Sequence, residues 1–292
     1  MKFVLIGHPV SHSLSPVIHQ AAYRELGVAH EYELIDAPSE ADLERVVASL
    51  RRGELAGANV TIPWKRQAFA AADRRSTLAE QLQVANVLAP VGGEIVAHNT
   101  DALALEVEFK RLVATERAVV LGSGGATPAV VAACRSAGIA EVFVSARRFD
   151  PQVAESAWPS AAALTGLGAR LLAWPGASAA AKAHFDDICG CAGLIVQCTS
   201  AGMQGADPGE PLASLIDWSR LPAAALAYDL IYAPLETPFL RAARQAGRRT
   251  AHGLHMLVGQ AALAIEIWLG RRPPAEPLLA AALEALAKRR PA

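Results

Sequence analysis

The stretch Ala118-Val119-Val120-Leu121-Gly122-Ser123-Gly124-Gly125-Ala126-Thr127-Pro128 decides how the chain is read. Its apolar start, Ala118–Leu121, predicts a short buried strand, and a helix is expected over Pro128–Ala137. Glycines between a strand and a helix let the backbone approach a pyrophosphate. The helix N-terminus then offers it unpaired N–H groups and positive potential. The first two glycines of a G-x-G-x-x-G pattern are Gly122 and Gly124, with Thr127 at the third position. Glycine-rich turns also join ordinary strands to helices, so the turn alone leaves a plain connection open beside a nucleotide site. The next strand, Glu141–Ser145, ends in Ala146-Arg147-Arg148, where a free ribose hydroxyl would usually meet an acid. Two guanidinium groups favour a 2′-phosphate instead, through paired donors, so NADP is the expected cofactor. A pair of solvated arginines is the alternative, and Asp150 is the nearby acid that would argue for NAD.

Further strands are expected toward the C-terminus at Gly193–Cys198 and Ala224–Asp229. The pattern is helical from Gly253 to Leu269 and again over Glu276–Lys288, whereas Trp158–Ala183, rich in Ala, Gly, Ser and Pro, yields no clear element. Toward the N-terminus, strands are expected at Lys2–Ile6, Tyr32–Ile35, Gly57–Thr61, Val84–Ala89 and Glu94–Ala97, the last two joined at Gly92-Gly93. Helices are expected at Pro16–Leu26, at Glu40–Arg51, from Pro63 onward and at Ala102–Leu112. This alternation predicts an α/β fold with mostly parallel sheets covered by helices on both faces.

Composition narrows the function. A chain of 292 residues suits two domains of roughly 100–150 residues better than a single core. Hydrophobic residues make up 52% and charged residues 19%, which argues against disorder. The net charge is −1 with lysines and arginines dispersed, so no basic stripe invites nucleic acid. No apolar run reaches the roughly 20 residues of a membrane span. The opening Met1–Ser13 lacks the apolar region and cleavage site of a signal peptide, so a cytoplasmic location is expected. Cys134, Cys189, Cys191 and Cys198 have no zinc-ligand spacing and read as small buried hydrophobes, so no metal is expected.

Polar residues crowd the strand ends of the first hundred residues. Ser11-His12-Ser13-Leu14-Ser15-Pro16 follows the first strand, where the hydroxyls could cap the helix, Ser15 as N-cap, or bind a carboxylate there. Lys65, in Asn59-Val60-Thr61-Ile62-Pro63-Trp64-Lys65, falls in the first turn of its helix, a position the dipole disfavours for a cation. His98-Asn99-Thr100-Asp101 closes another strand. Ligands of open parallel sheets sit at the carboxyl ends of strands. A lysine and an aspartate brought together there could exchange a proton with a reacting hydroxyl, or could form a structural ion pair.

Taken together, these pieces resemble the shikimate dehydrogenase family, over nearly the whole chain. Ser13-Leu14-Ser15-Pro16 resembles its S-x-S-P motif, Asn59–Lys65 its NVTxPxK, Asn99-Thr100-Asp101 its NTD and Gly122–Ala126 its GxGGA. Thr199-Ser200-Ala201-Gly202-Met203 is similar to TSxGM, Asp229–Pro234 with Thr237–Leu240 to DxxYxP…TPFL, and Gly253-Leu254 with Gln260 to the C-terminal GL…Q. The resemblance implies a substrate domain over residues 1–101 and 253–292, a Rossmann-type NADP domain over 102–252, and an interdomain cleft. It implies reversible NADP-dependent reduction of 3-dehydroshikimate, a step of aromatic amino acid biosynthesis, by a monomer or homodimer. Alternatives are an NAD-using quinate/shikimate dehydrogenase and a catalytically weak NADP-binding regulatory protein.

Carried onto this chain, the resemblance makes Lys65 and Asp101 the catalytic pair. Ser13, Ser15, Thr61, Asn86, Tyr232 and Gln260 would bind substrate, with His255 beside them. Gly122, Ser123, Gly124, Gly125 and Ala126 would face the pyrophosphate, and Arg147 and Arg148 the 2′-phosphate. Thr199, Gly202, Met203, Leu230 and Gly253 would complete the cofactor site. The chain departs from the family pattern at Val87, where a hydroxyl is lost beside Asn86, and at Ala102, which replaces a glycine. It departs again at Ala146-Arg147-Arg148, at Phe149, where the NAD-using branch tends to have an acid, and at His255. A site built to bond a hydroxyl discriminates by orders of magnitude, so these changes predict a divergent branch with an altered substrate preference.

Overall fold

Two six-stranded sheets, one in each of two units, organise the computed structural model, which describes residues 1–158, 160–203 and 205–289. The first unit comprises Met1–Ala104 and the chain from Leu257 onward; the second is Leu105–Met256. These limits differ by a few residues from the expected 101/102 and 252/253, because each division falls inside a continuous helix rather than in a linker.

In chain order the first unit holds β1 (Lys2–Gly7), α1 (Ser15–Leu26), β2 (Glu31–Asp36), α2 (Glu40–Arg51) and β3 (Gly57–Val60). There follow α3 (Lys65–Ala71), β4 (Arg74–Arg75), α4 (Thr77–Leu82), β5 (Val87–Val91) and β6 (Glu94–His98). The helix α5 (Asp101–Leu112) crosses the division. The second unit continues with β7 (Arg117–Leu121), α6 (Thr127–Ser136), β8 (Glu141–Ser145), α7 (Ala161–Gly166), β9 (Ala169–Leu172) and α8 (Ala179–Cys189). It is completed by β10 (Leu194–Gln197), α9 (Glu210–Ser214), β11 (Leu226–Asp229), α10 (Pro238–Gln245) and β12 (Arg249–His252). Last come α11 (Leu254–Leu269), which crosses the second division, and α12 (Ala275–Lys288).

The first sheet has the order β2-β1-β3-β5-β6-β4. It is mostly parallel, as expected, with β5 running antiparallel to both β3 and β6. The cause is local: Gly92 and Gly93, at φ of 61° and 87°, make a tight turn into β6, and such a hairpin can only reverse the chain. β5 also starts later than Val84. The Ala85 N–H goes to the Lys65 carbonyl and the Val84 carbonyl accepts from Asn99, so neither group is left for a strand ladder. Leu43, Val46, Val47 and Leu50 recur at helical spacing on α2 and pack with Val4, Ile6, Val60, Leu88 and Ile95. Phe3 stacks on Trp268 of α11 at 4.8 Å, and α1 packs against α12.

The second sheet, β12-β11-β10-β7-β8-β9, is parallel throughout. Strand order runs one way from β7 through β8 and the other way through β10. The turn after β7 therefore lies at a topological switch point, where open α/β sheets bind ligands. The stretch left unassigned from sequence contains α7, β9 and the start of α8, with Pro159 outside the described residues. The helix expected from Pro63 begins at Lys65, because the Trp64 N–H turns back to the Thr61 carbonyl at 2.9 Å. Among the cysteines, Cys134 and Cys189 are buried, but Cys191, two residues past α8, is exposed and Cys198 is half-buried, contrary to a uniformly buried set. No described helix is long and apolar enough to cross a membrane.

Candidate active site

β1, β3 and β6 run parallel, so the loops at their carboxyl ends emerge on one edge of the first sheet. Because β5 runs the other way, Asn86, just before its first residue, reaches the same edge. Topology thus gathers Ser13, Ser15, Thr61, Lys65, Asn86 and Asp101 there.

Lys65 donates from Nζ to Asp101 Oδ2 at 2.5 Å, with side chains only 12% and 6% exposed. Each is the first residue of its helix. That position suits the carboxylate and disfavours the ammonium, so Asp101 compensates for the unfavourable placing of Lys65. Asn86 orients the carboxylate: its Nδ2 donates to Asp101 Oδ1 at 2.7 Å and to Thr100 Oγ1 at 2.9 Å, and its Oδ1 accepts from the Thr100 N–H at 2.7 Å. Gln260, on the part of α11 in the first unit, accepts from the same amide at 3.4 Å. Asn99 Oδ1 accepts from the Ala102 N–H at 3.1 Å at the start of α5, and Ala102 is buried. Val87 is fully buried in β5.

Ser13 and Ser15 are buried and bonded together, hydroxyl to hydroxyl, at 3.1 Å. Ser15 is not the N-cap expected of it; it is the first helical residue, and its N–H donates to Ser13 Oγ at 3.1 Å. The loop is held by Arg289, just past the end of α12, which donates to the carbonyls of His12 at 2.6 Å and Ser13 at 3.3 Å. One helical turn beyond Ser15, His19 is fully buried and stacks on Tyr32 at 3.8 Å. Burial pushes its pKa down to about 3, so it presents a neutral ring. Tyr32 donates to Asn59 Oδ1 at 2.6 Å, and Asn59 donates to the Asn86 carbonyl at 3.3 Å. His19 and Tyr32 were not among the candidates read from sequence, and Asn59, Asn99 and Thr100 were read as parts of motifs without a role of their own. Their signal is a run of side-chain amides and hydroxyls at the ends of apolar strands.

Tyr232 and His255, also expected to bind substrate, belong to the second unit. Tyr232 follows β11 in a loop clamped at both ends by Asp229, which accepts from the Ile231 N–H at 2.9 Å and from the Thr237 hydroxyl at 2.6 Å. Burial outweighs those bonds and pushes the Asp229 pKa up to about 7. His255 is exposed, its ring 6.0 Å from that of His252.

The turn after β7 carries the glycines expected to face a pyrophosphate. Gly122 has φ of 118°, and a Cβ there would meet Thr199 Cγ2 at 3.0 Å and the Cys198 backbone at 3.2 Å, whereas one on Gly124 would point into open space. Ser123 is half-buried, and Gly125 and Ala126 lead into α6. Thr127, at the third glycine position, is fully buried and donates from Oγ1 to the Gly122 carbonyl at 3.1 Å, closing the turn with a hydroxyl. The Gly122 N–H bonds the Ser145 carbonyl at 2.8 Å, which brings Arg147 and Arg148 beside the turn. Both arginines are exposed. Phe149 turns inward and stacks on Trp158 at 4.9 Å, and Asp150 caps the N–H of Gln152.

On the other flank of the turn, buried Gln197 holds the Thr199–Ala201 bend, accepting from the Thr199 N–H and donating to the Ala201 carbonyl at 3.0 Å. The Gly202 N–H reaches the Asp207 carbonyl at 2.8 Å, and Met203 bonds back to Ser200 at 3.0 Å. The Leu230 N–H reaches the Gln197 carbonyl at 3.0 Å. A Cβ on Gly253 would collide with the Leu230 carbonyl, so only glycine allows that approach.

Residues 5–88 match the family model of the shikimate dehydrogenase substrate binding domain, and residues 253–283 that of the shikimate 5'-dehydrogenase C-terminal domain. The shikimate dehydrogenase (NADP(+)) of Symbiobacterium thermophilum is 41% identical over 287 residues, which cover 97% of this chain and 93% of that protein. The shikimate 5-dehydrogenase of Thermus thermophilus, solved in complex with NADP(H) and shikimate, has a TM-score of 0.81 at 34% identity, covering 98% of this chain and 100% of that one. The quinate dehydrogenase of Corynebacterium glutamicum, in complex with NAD, also has a TM-score of 0.81, at 25% identity, covering 97% of this chain and 99% of that one.

Proposed function

Since the chain belongs to the shikimate dehydrogenase family, we propose that it interconverts 3-dehydroshikimate and shikimate with NADP, using Lys65 and Asp101 as its acid–base pair. The observation that carries this reading is the buried Lys65–Asp101 bond, with Asn86 holding the second carboxylate oxygen. A purely structural ion pair would not need to stand at the ligand-binding edge of a sheet, the edge that also carries Ser13, Ser15 and Thr61.

When bound, NADP supplies the hydride acceptor or donor. Lys65 handles the proton. In the reductive direction the ammonium gives a proton to the carbonyl oxygen as hydride reaches the carbon, and the amine is reloaded from solvent. In the oxidative direction the amine takes the hydroxyl proton as hydride leaves. Asp101 stabilises the ammonium and fixes its position, and Asn86 and Thr100 keep the carboxylate from rotating away. The paired hydroxyls of Ser13 and Ser15 would turn to the substrate carboxylate, and Thr61, Gln260 and Tyr232 to its ring hydroxyls. His255 would lie beside them.

Gly122, Ser123, Gly124, Gly125 and Ala126 would face the pyrophosphate, with Arg147 and Arg148 at the 2′-phosphate. Thr199, Gly202, Met203, Leu230 and Gly253 would line the nicotinamide end. In this reading the first unit is the substrate domain, the second is the NADP domain, and the protein acts in the cytoplasm as a monomer or homodimer. An NAD-dependent quinate enzyme has less support, since the NAD-bound quinate relative is 25% identical against 41% for the NADP-dependent shikimate one. A regulatory role without turnover would leave the Lys65–Asp101–Asn86 arrangement without a purpose.

The test is a spectrophotometric comparison of shikimate and quinate with NADP and NAD. Turnover of shikimate with NADP well above the other combinations is expected. NADPH binding without hydride transfer to any dehydroshikimate-like acid would contradict the proposal.

A further inference from the structure

The strand order β10-β7-β8 puts two loops on either side of the glycine turn. The loop after β8 carries Arg147, two residues beyond Ser145, whose carbonyl holds the Gly122 N–H. The loop after β10 backs onto Gly122 through Cys198 and Thr199 and continues to Asp207, whose own carbonyl accepts from Gly202. These two loops are joined by an ion pair, Arg147 Nη1 to Asp207 Oδ2 at 2.9 Å. The partners are 60 residues apart in sequence, with side chains 73% and 58% exposed, so water and an incoming anion can reach both. Arg148, next in the chain, makes no hydrogen bond or ion pair among the described residues.

We propose that Asp207 is a specificity-determining residue for the dinucleotide, acting as a carboxylate that the 2′-phosphate must displace from Arg147. This rests on the reading above in which Arg147 faces the adenine ribose. A guanidinium presents a limited fork of donors, so phosphate and carboxylate compete for it. The phosphate prevails through its greater charge and its three acceptor oxygens, but its net gain is reduced by the ion pair it breaks and by the repulsion of the released Asp207. A dinucleotide without the 2′-phosphate meets a different surface: the pair stays closed and its loops stay joined. Asp207 therefore narrows the preference for NADP over NAD.

The test is fluorescence titration of NADPH and NADH against wild type, Asp207→Asn, Arg147→Ala and the double variant, at low and high salt. Asparagine keeps the backbone bond to Gly202, so the loop stays anchored. Asp207→Asn is expected to tighten NADPH by about two- to fivefold, the range spanned by an exposed ion pair, and to leave NADH unchanged. The gain should shrink as salt screens it and vanish in the Arg147→Ala background. Unchanged or weaker NADPH binding in Asp207→Asn, or equal changes for both dinucleotides, would overturn the proposal and leave Asp207 a loop anchor only. If Arg147→Ala binds NADPH as wild type does, the ribose reading fails first and the competition with it.

Discussion

Asn86 is a buried side chain with every polar atom engaged: its amide donates to Asp101 and Thr100 and accepts from the Thr100 N–H. Substituting Asp there tests whether that amide keeps the neighbouring carboxylate in place. Two carboxylates in contact cannot both ionise cheaply, so the folded Asn86→Asp protein would hold a proton that the unfolded chain releases. Its stability must then fall as pH rises. Thermal melts are expected to place the variant's Tm closer to wild type at about pH 5 than at about pH 8, with turnover reduced at least about tenfold. A Tm gap constant across that range would mean the site tolerates a second acid. Lys65 and Asp101 were legible as candidates because polar residues at strand ends have few structural uses, whereas Asn86 was a candidate only through the family resemblance. Asn59, Tyr32 and His19 were not legible in that way, since their value depends on β1, β2 and β3 being adjacent, which no local pattern encodes. Asp207 was invisible for the same reason, being brought to Arg147 by strand order alone.

At the scale of elements, two turns in the second unit carry sharp expectations. Gly122 combines φ of 118° with close contact to Cys198 and Thr199. Gly122→Ala is expected to lower stability by about 1–3 kcal/mol and to abolish measurable NADPH binding, checked by melts and titration. Wild-type affinity in that variant would show that the turn does not meet the cofactor. The β11–α10 loop depends on Asp229, buried and shifted up to about 7. A carboxyl whose folded pKa lies above its unfolded value binds more protons when folded. Its contribution is therefore fully present below about pH 4 and lost as pH rises toward 7, by at most on the order of 4 kcal/mol. Asp229→Asn should remove that slope, so its Tm deficit relative to wild type is expected to shrink between about pH 5 and pH 8. A deficit independent of pH would mean that Asp229 is ionised throughout.

The long amphipathic or apolar elements, such as α2, β8 and α11, were legible to within a residue or so because their periodicity is set by one buried face. The failures have physical causes. β5 starts at Val87 rather than Val84 because the Ala85 N–H and the Val84 carbonyl bond outside the sheet. The short elements α7, β9 and α9 bury too few side chains to impose a period of their own, and Ala-rich sequence suits helix and loop packing alike.

For the whole molecule, two α/β units were legible from length and alternation, and parallel strand order with a switch point at β7 follows once the sheet is assembled. In the proposed reaction, the proton is the task of Lys65 in the first unit, and the glycine turn of the second is the proposed cofactor site. The most direct measurement is the initial rate of shikimate oxidation with NADP by wild type and Lys65→Ala, paired with NADPH titration and a melt of each protein. The account predicts a kcat lower by about 10²–10⁴-fold, with NADPH affinity unchanged and a cooperative melt retained. Turnover within about twofold of wild type would contradict it, since a lone change from amine to methyl would then have removed nothing the reaction uses.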